Sequence, residues 1–211
     1  MKHFVLFLLF PSVLFSPTPE RFYQNGKCGY KSVDSGKVIV EPIYDAGSSF
    51  SEGLALVIKN GKRGFINVQG AEVIDLIYDD ASVFKSGLAW VVQNGKYGYV
   101  NAKGERMIPL MYDYAEDFSE GLAVVKTEGK YGFINSEGEV IISLQYAAAF
   151  SFSENLAAVK QNDKWGFIDK TGKTIIPFSY DFAIKYYRGQ AAVVLNEKKI
   201  FIDKTGQWIK D

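Results

Sequence analysis

The residues of this chain best suited to chemistry are its carboxylates. Asp79-Asp80, Glu116-Asp117 and Glu120 lie close enough in sequence to form acid pairs, and a glycoside hydrolase needs only two acids. Their spacing argues against that use. Asp45, Asp79, Asp113 and Asp181 recur at one position of a repeat, and Glu52, Glu120 and Glu154 recur at another. A catalytic pair is a single constellation, whereas an acid repeated through turns is the ordinary partner of turn N–H groups. No loop has the spacing of a calcium-binding EF-hand. The only histidine, His3, falls in an apolar N-terminal segment. That leaves no imidazole for a Ser-His-Asp or Cys-His nucleophile or for a histidine metal site. Cys28 is the only cysteine, too few for a thiolate zinc site or a disulfide. No glycine-rich phosphate loop opens a helix. The reading is of a non-enzyme with no cofactor and no metal.

Aromatic residues offer binding chemistry instead. Tyr97, Tyr131 and Trp165 occupy equivalent positions and form the candidate binding surface. Rings in a row can stack on sugar faces or hold cations. The same rings can equally fill the core between units. Lys62, Lys96, Lys130, Lys164 and Lys198 form a ladder at the turns, as expected of solvated hairpin edges that resist sheet-to-sheet pairing.

The elements that would position these groups follow from a period of 34 residues. Gly36, Gly70, Gly104, Gly138, Gly172 and Gly206 keep that step without a break. Gly64, Gly98, Gly132 and Gly166 keep it in a second series, with Gly29 one residue out of phase, and so do Tyr44, Tyr78, Tyr112, Tyr146 and Tyr180. A fixed period of this size marks a repeat protein. Within one unit, Leu122–Lys126, Lys130–Asn135 and Glu139–Ile142 read as three strands joined by Gly-containing turns. The regular glycines fall at turns, where positive φ favours glycine. The second series lies inside a strand, so each needs a packing reason, and a ring from the next unit is expected over each. The connector Tyr-Asp-x-Ala-x-x-Phe-Ser-Glu-Gly-Leu-Ala, from Tyr112 to Ala123, keeps apolar residues at fixed points and should be packed. The fold expected is all-β, five to six tandem units, each a three-stranded antiparallel meander, in an open curved array. A closed six-bladed β-propeller is the alternative.

Composition agrees. Aromatics at 15% and hydrophobics at 47% suit strands with a core. A net charge of zero gives no basic footprint for nucleic acid. Residues 1–16 carry a short positive start and the apolar run Phe4–Phe10, broken by Pro11. They read as an export signal or an uncleaved anchor, too short to span a bilayer comfortably. Residues 17–211 are then the repeat array, with no integral membrane segment in the mature chain. The expected location is the periplasm, cell surface or extracellular space.

Lys164-Trp165-Gly166-Phe167-Ile168-Asp169-Lys170-Thr171-Gly172-Lys173-Thr174-Ile175-Ile176-Pro177, followed by Tyr180-Asp181, resembles the consensus of the WG-repeat (KWG-repeat) family. Ser119–Val125 resembles its other half, and the likeness runs over about residues 23–208. The tryptophan of that name survives only at Trp165. Cys28, Arg63, Tyr97, Tyr131 and Lys199 fill its place elsewhere. The resemblance implies a bacterial tandem β-repeat protein, often exported, with no catalytic residues to carry over. Its partner would be a protein or a cell-envelope glycan.

Overall fold

The computed structural model describes residues 18–209. The export segment, residues 1–16, lies outside them. The described chain is all β: six antiparallel sheets follow one another in sequence order. The first has three strands, Glu20–Gln24, Lys27–Lys31 and Val38–Tyr44; each of the other five has four. The fourth sheet is typical, with strands Tyr114–Ala115, Ala123–Thr127, Lys130–Ile134 and Val140–Tyr146. The three long strands are the expected meander. The connector adds the short one, because Tyr114 and Ala115 pair with Lys126 and Val125.

Turn chemistry sets the register. The hairpin between the two central strands turns through two positive-φ residues, as at Asn60-Gly61 and Asn94-Gly95, the geometry that matches strand twist. The regular glycines close the next turn, where Gly138 N–H donates to Asn135 O at 3.0 Å. The Asn135 side chain accepts from the N–H groups of Glu137 and Glu139 in the same turn.

The glycine inside the strand has a different neighbour from the one expected. No ring of the next unit lies over it. In the fourth sheet Tyr131 faces Tyr146 and Phe133 faces Ile142, so one residue, Gly132, stands opposite three, Ser143, Leu144 and Gln145. The extra residues form a bulge whose backbone folds over Gly132. A Cβ there would lie 2.6 Å from Ile142 O and 2.8 Å from Leu144 N. Gly64, Gly98 and Gly166 are covered in the same way by their own sheets. Pro42, Pro109 and Pro177 sit in the bulging strands, where the ladder is already interrupted. The ring of the next unit instead meets the aromatic residue after the glycine. Phe65–Phe84, Tyr99–Phe118, Phe133–Phe152 and Phe167–Tyr186 are tilted or edge-on pairs with centroids 4.8–5.0 Å apart. Each adds about 0.5–1.5 kcal/mol beyond its buried area.

The turn glycines also pack between units. Gly104, Gly138, Gly172 and Gly206 rest on Ile74, Ile108, Ile142 and Ile176 of the preceding sheet. Five cores therefore form between six sheets. The array is open. Its first sheet presents a Lys31–Glu20 ion pair of 3.2 Å at a cross-strand position. The equivalent pair is Ala123 and Ile134 in the fourth sheet, both fully buried. The far face of the sixth sheet leaves Phe201 37% exposed, whereas its counterpart Phe133 in the fourth sheet is fully buried.

Candidate functional site

The repeated acids are structural. Lys27–Asp45, Lys62–Asp79, Lys96–Asp113 and Lys164–Asp181 are ion pairs of 2.5–2.6 Å. The second oxygen of each aspartate accepts the N–H of the neighbouring hairpin turn, at Asn60, Asn94, Glu128 and Asn196. These hydrogen bonds hold all four carboxyls below the usual aspartate range, the lysine bond first. Three lysines of the ladder, Lys62, Lys96 and Lys164, and Lys27 before them thus have carboxylate partners rather than only solvent. The repeated glutamates clamp neighbouring units. Glu52 accepts from Ser86 N and Gly87 N at 2.8 Å, and Glu154 accepts from Gly189 N at 3.0 Å. Glu120 accepts from Asn155 N at 2.9 Å and pairs with Lys170 at 3.2 Å. Among the described residues no His/Cys/Asp/Glu group is arranged to hold a metal ion. No helix there is long and apolar enough to cross a membrane.

A cavity of about 640 Å³ opens where the inner edges of the third to sixth sheets converge. That volume lies within the roughly 300–1,000 Å³ range of small-molecule sites. The short strands and connectors build it, because each leaves the ladder after two paired residues and turns across the inner edge. Trp90, Tyr97 and Tyr114 form one part of its lining, and Phe150 and Ile184 another. Ring centroids run in a file: Trp90–Tyr97 at 5.5 Å, Tyr97–Tyr114 at 5.7 Å and Tyr114–Tyr131 at 6.2 Å. Lys85, Lys185, Glu116 and Asp117 contribute two charges of each sign.

Glu116 is fixed at this lining. Tyr114 OH donates to its Oε1 at 3.0 Å, and Ser151 Oγ of the next unit donates to its Oε2 at 2.5 Å. Burial first, and then the Glu116 charge, push the Tyr114 hydroxyl above the usual tyrosine range. The phenol therefore remains a neutral donor at ordinary pH.

Of the sequence-predicted residues, Tyr97 lines the cavity and Tyr131 continues the file through Tyr114. Trp165 is 7% exposed, stacked on Phe150 at 5.4 Å and against Phe182 at 5.6 Å. It backs the cavity through Phe150 and does not line it. Sequence reasoning did not single out Trp90, Tyr114, Phe150 or the two lysines as site residues. The available signal was departure from the repeat. Trp90 stands where Leu56, Val124, Ala158 and Ala192 stand in other units. Glu116 stands where Ser48, Ser82, Phe150 and Ile184 stand.

The model of the WG containing repeat matches residues 34–62, 64–97, 97–131, 131–165 and 165–198. The chain belongs to the WG-repeat family. No curated protein matches this WG-repeat chain. Solved structures share its fold at low identity and are β-propeller-like repeat proteins. Kluyveromyces lactis Hsv2 is 11% identical with a TM-score of 0.52, over 92% of this chain and 71% of that one. A eukaryotic initiation factor is 12% identical with a TM-score of 0.54, over 90% of this chain and 62% of that one. The extracellular domain of a putative one component system from B. thetaiotaomicron is less similar, at 12% identity and a TM-score of 0.47, over 91% of this chain and 34% of that one.

Proposed function

We infer that this WG-repeat chain is an exported, non-catalytic binding or scaffold module for a protein or glycan partner of the cell envelope. The observation that carries the reading is the cavity on the inner edge, where non-repeating residues of four units meet over a repeated frame. The repeated carboxylates are occupied by lysines and turn N–H groups, which fits a frame better than acid–base work. The apolar segment Phe4–Phe10 after Lys2 supports export. Neutral overall charge and the mixed charge of the cavity fit neither nucleic acid nor a polybasic membrane anchor.

The test is capture. Residues 17–211, immobilised, are expected to retain a component of cell-envelope fractions, either protein or glycan. The double variant Trp90→Ala/Tyr114→Ala, folded by circular dichroism, is expected to lose that retention. Equal retention by both forms would move binding away from the cavity. No retention by either would leave the array a spacer. Release of new products from the captured material would contradict the non-catalytic reading.

A further inference from the structure

We propose that the inner-edge cavity is a binding site for neutral sugar rings, taking a short run of pyranose units. The proposal rests on the cavity being the binding site and names what enters it.

The choice follows from the lining. A pyranose has an apolar face of C–H groups and a rim of hydroxyls, so its site needs flat apolar surface bordered by both donors and acceptors. Trp90 and Tyr97 supply the surface, half-buried and only 5.5 Å apart, with their planes tilted by 46°. Tyr114 continues it at 5.7 Å. The Glu116 and Asp117 carboxylates supply acceptors, and Lys85 and Lys185 supply donors. The Tyr114 and Ser151 hydroxyls fix Glu116 before any ligand arrives, so little side-chain entropy is lost on binding.

Charge discriminates against the alternatives. Two lysines and two acids leave the lining without net charge. A quaternary ammonium is held by ring faces, but here it would also meet the like charges of Lys85 and Lys185 in the same lining, and an anionic ligand is drawn by an excess of positive charge. The cavity favours neither. At about 640 Å³ and open to solvent, it exceeds what one ring fills, which points to an oligosaccharide or the end of a polymer.

The diversity of the lining is independent support. Positions that hold the fold repeat: the turn glycines, the Tyr-Asp pair and the connector aromatic. Most residues at the cavity do not, Ala115, Ser119 and the position of Tyr97 being the exceptions. Trp90 and Glu116 replace small, aliphatic, hydroxyl or aromatic residues of the other units. Neither is needed by a frame that the other units build without them.

The experiment uses isothermal titration of residues 17–211 with two- to four-unit oligosaccharides of glucose and of N-acetylglucosamine. Choline and glucuronate are the charged probes, and insoluble envelope glycan serves in parallel sedimentation. At least one neutral series, soluble or polymeric, should bind. Trp90→Ala should weaken it about tenfold, the loss of one ring face of stacking area. Trp90→Phe, which keeps a ring, should lose less, and Tyr23→Ala, an exposed ring on the first sheet, should change nothing. Preference for choline or glucuronate overturns the proposal. So does neutral-sugar binding that survives Trp90→Ala. If no sugar binds but the cavity variant still loses capture of an envelope protein, the sugar assignment fails and the binding-module reading stands. If neither sugar nor envelope component binds, both fail.

Discussion

Gly132→Ala isolates the reason for glycine inside a strand. The φ at Gly132 is not in the left-handed region, so an alanine meets no backbone strain there. The cost is purely one of space. Its Cβ would lie 2.6 Å from Ile142 O, whereas ordinary contact begins at 3.4 Å, so the bulge must retreat by 0.8 Å. The obstacle is backbone on three sides, Ile142 O, Leu144 N and Leu144 Cα, and no flexible side chain can swing away. Overpacking costs about 1–3 kcal/mol. A retreat of that size also weakens one ladder hydrogen bond beside the bulge, about 0.5–1.5 kcal/mol. The expected loss is about 2–4 kcal/mol. Gly129→Asp is the control. Gly129 has φ +77° and nothing within 4 Å of a Cβ, and Asp163 and Glu197 hold its place in other units at φ 61° and 65°. It should cost about 1 kcal/mol or less. Urea unfolding followed by circular dichroism measures both, and amide exchange in Lys130–Ile134 localises the effect, since repeat arrays open locally. If Gly132→Ala lies within about 0.5 kcal/mol of the parent, or Gly129→Asp is the more damaging, the bulge argument is wrong.

Ser119 Oγ donates to Phe152 O of the next unit at 2.8 Å, so Ser119→Ala should cost about 1 kcal/mol in the same unfolding assay. Stability should fall in acid. Asp45, Asp79, Asp113 and Asp181 have folded values below the ordinary 3.8, so their contribution is present above that value and is lost as pH drops through the lower folded ones. Melting temperatures measured from pH 5 to pH 2 should show the decline beginning near pH 4, and Asp113→Asn should flatten it. Stability should also fall in alkali. Burial, with Glu72 nearby, pushes the Tyr44 hydroxyl up to about 12. Its contribution is complete below the ordinary 10 and disappears as pH rises towards 12, which a melting series from pH 9 to pH 12 would show. Replacing the exposed Glu20–Lys31 pair by the Ala and Ile of the fourth sheet, as Glu20→Ala/Lys31→Ile, should turn the first sheet's outer face into an apolar one. Concentration-dependent association by analytical ultracentrifugation is the expected result, and a monomer at all concentrations would contradict it.

The period made the fold legible. Turn glycines, strand lengths and the packed connector all follow from residues 34 apart, because each unit must solve the same folding problem. The partner that fills each gap was less legible. A glycine in a strand announces a close approach, but not whether it comes from the same sheet or the next. Pro42, Pro109 and Pro177 carried that information. A proline within a run otherwise read as strand marks an edge or a bulge, and the bulge in the same sheet is what covers the glycine. The two-residue inner strand was missed because only two backbone pairs define it, too few for alternation to register.

The candidate site was hidden by the same regularity that exposed the fold. Setting repeated acids aside as structural is sound for Asp113, whose oxygens are taken by Lys96 and the Glu128 N–H. It does not extend to Glu116. That residue is acidic in one unit only, and its carboxylate receives hydroxyls from its own unit and the next at the mouth of a cavity. In a tandem array, positions that recur are committed to holding each unit and joining it to its neighbour. Positions that vary are free of that duty, and where they collect on one edge they mark surface available for binding. Tyr97 belongs to both sets. It occupies a position with a counterpart in every sheet, yet it reaches the cavity because Trp90 and Tyr114, which do not recur, stand on either side of it. Trp165 occupies the same repeat position, and Phe150 stacks over it. Whether an aromatic at that position is core or surface is therefore decided by its non-repeating neighbours, not by its own identity.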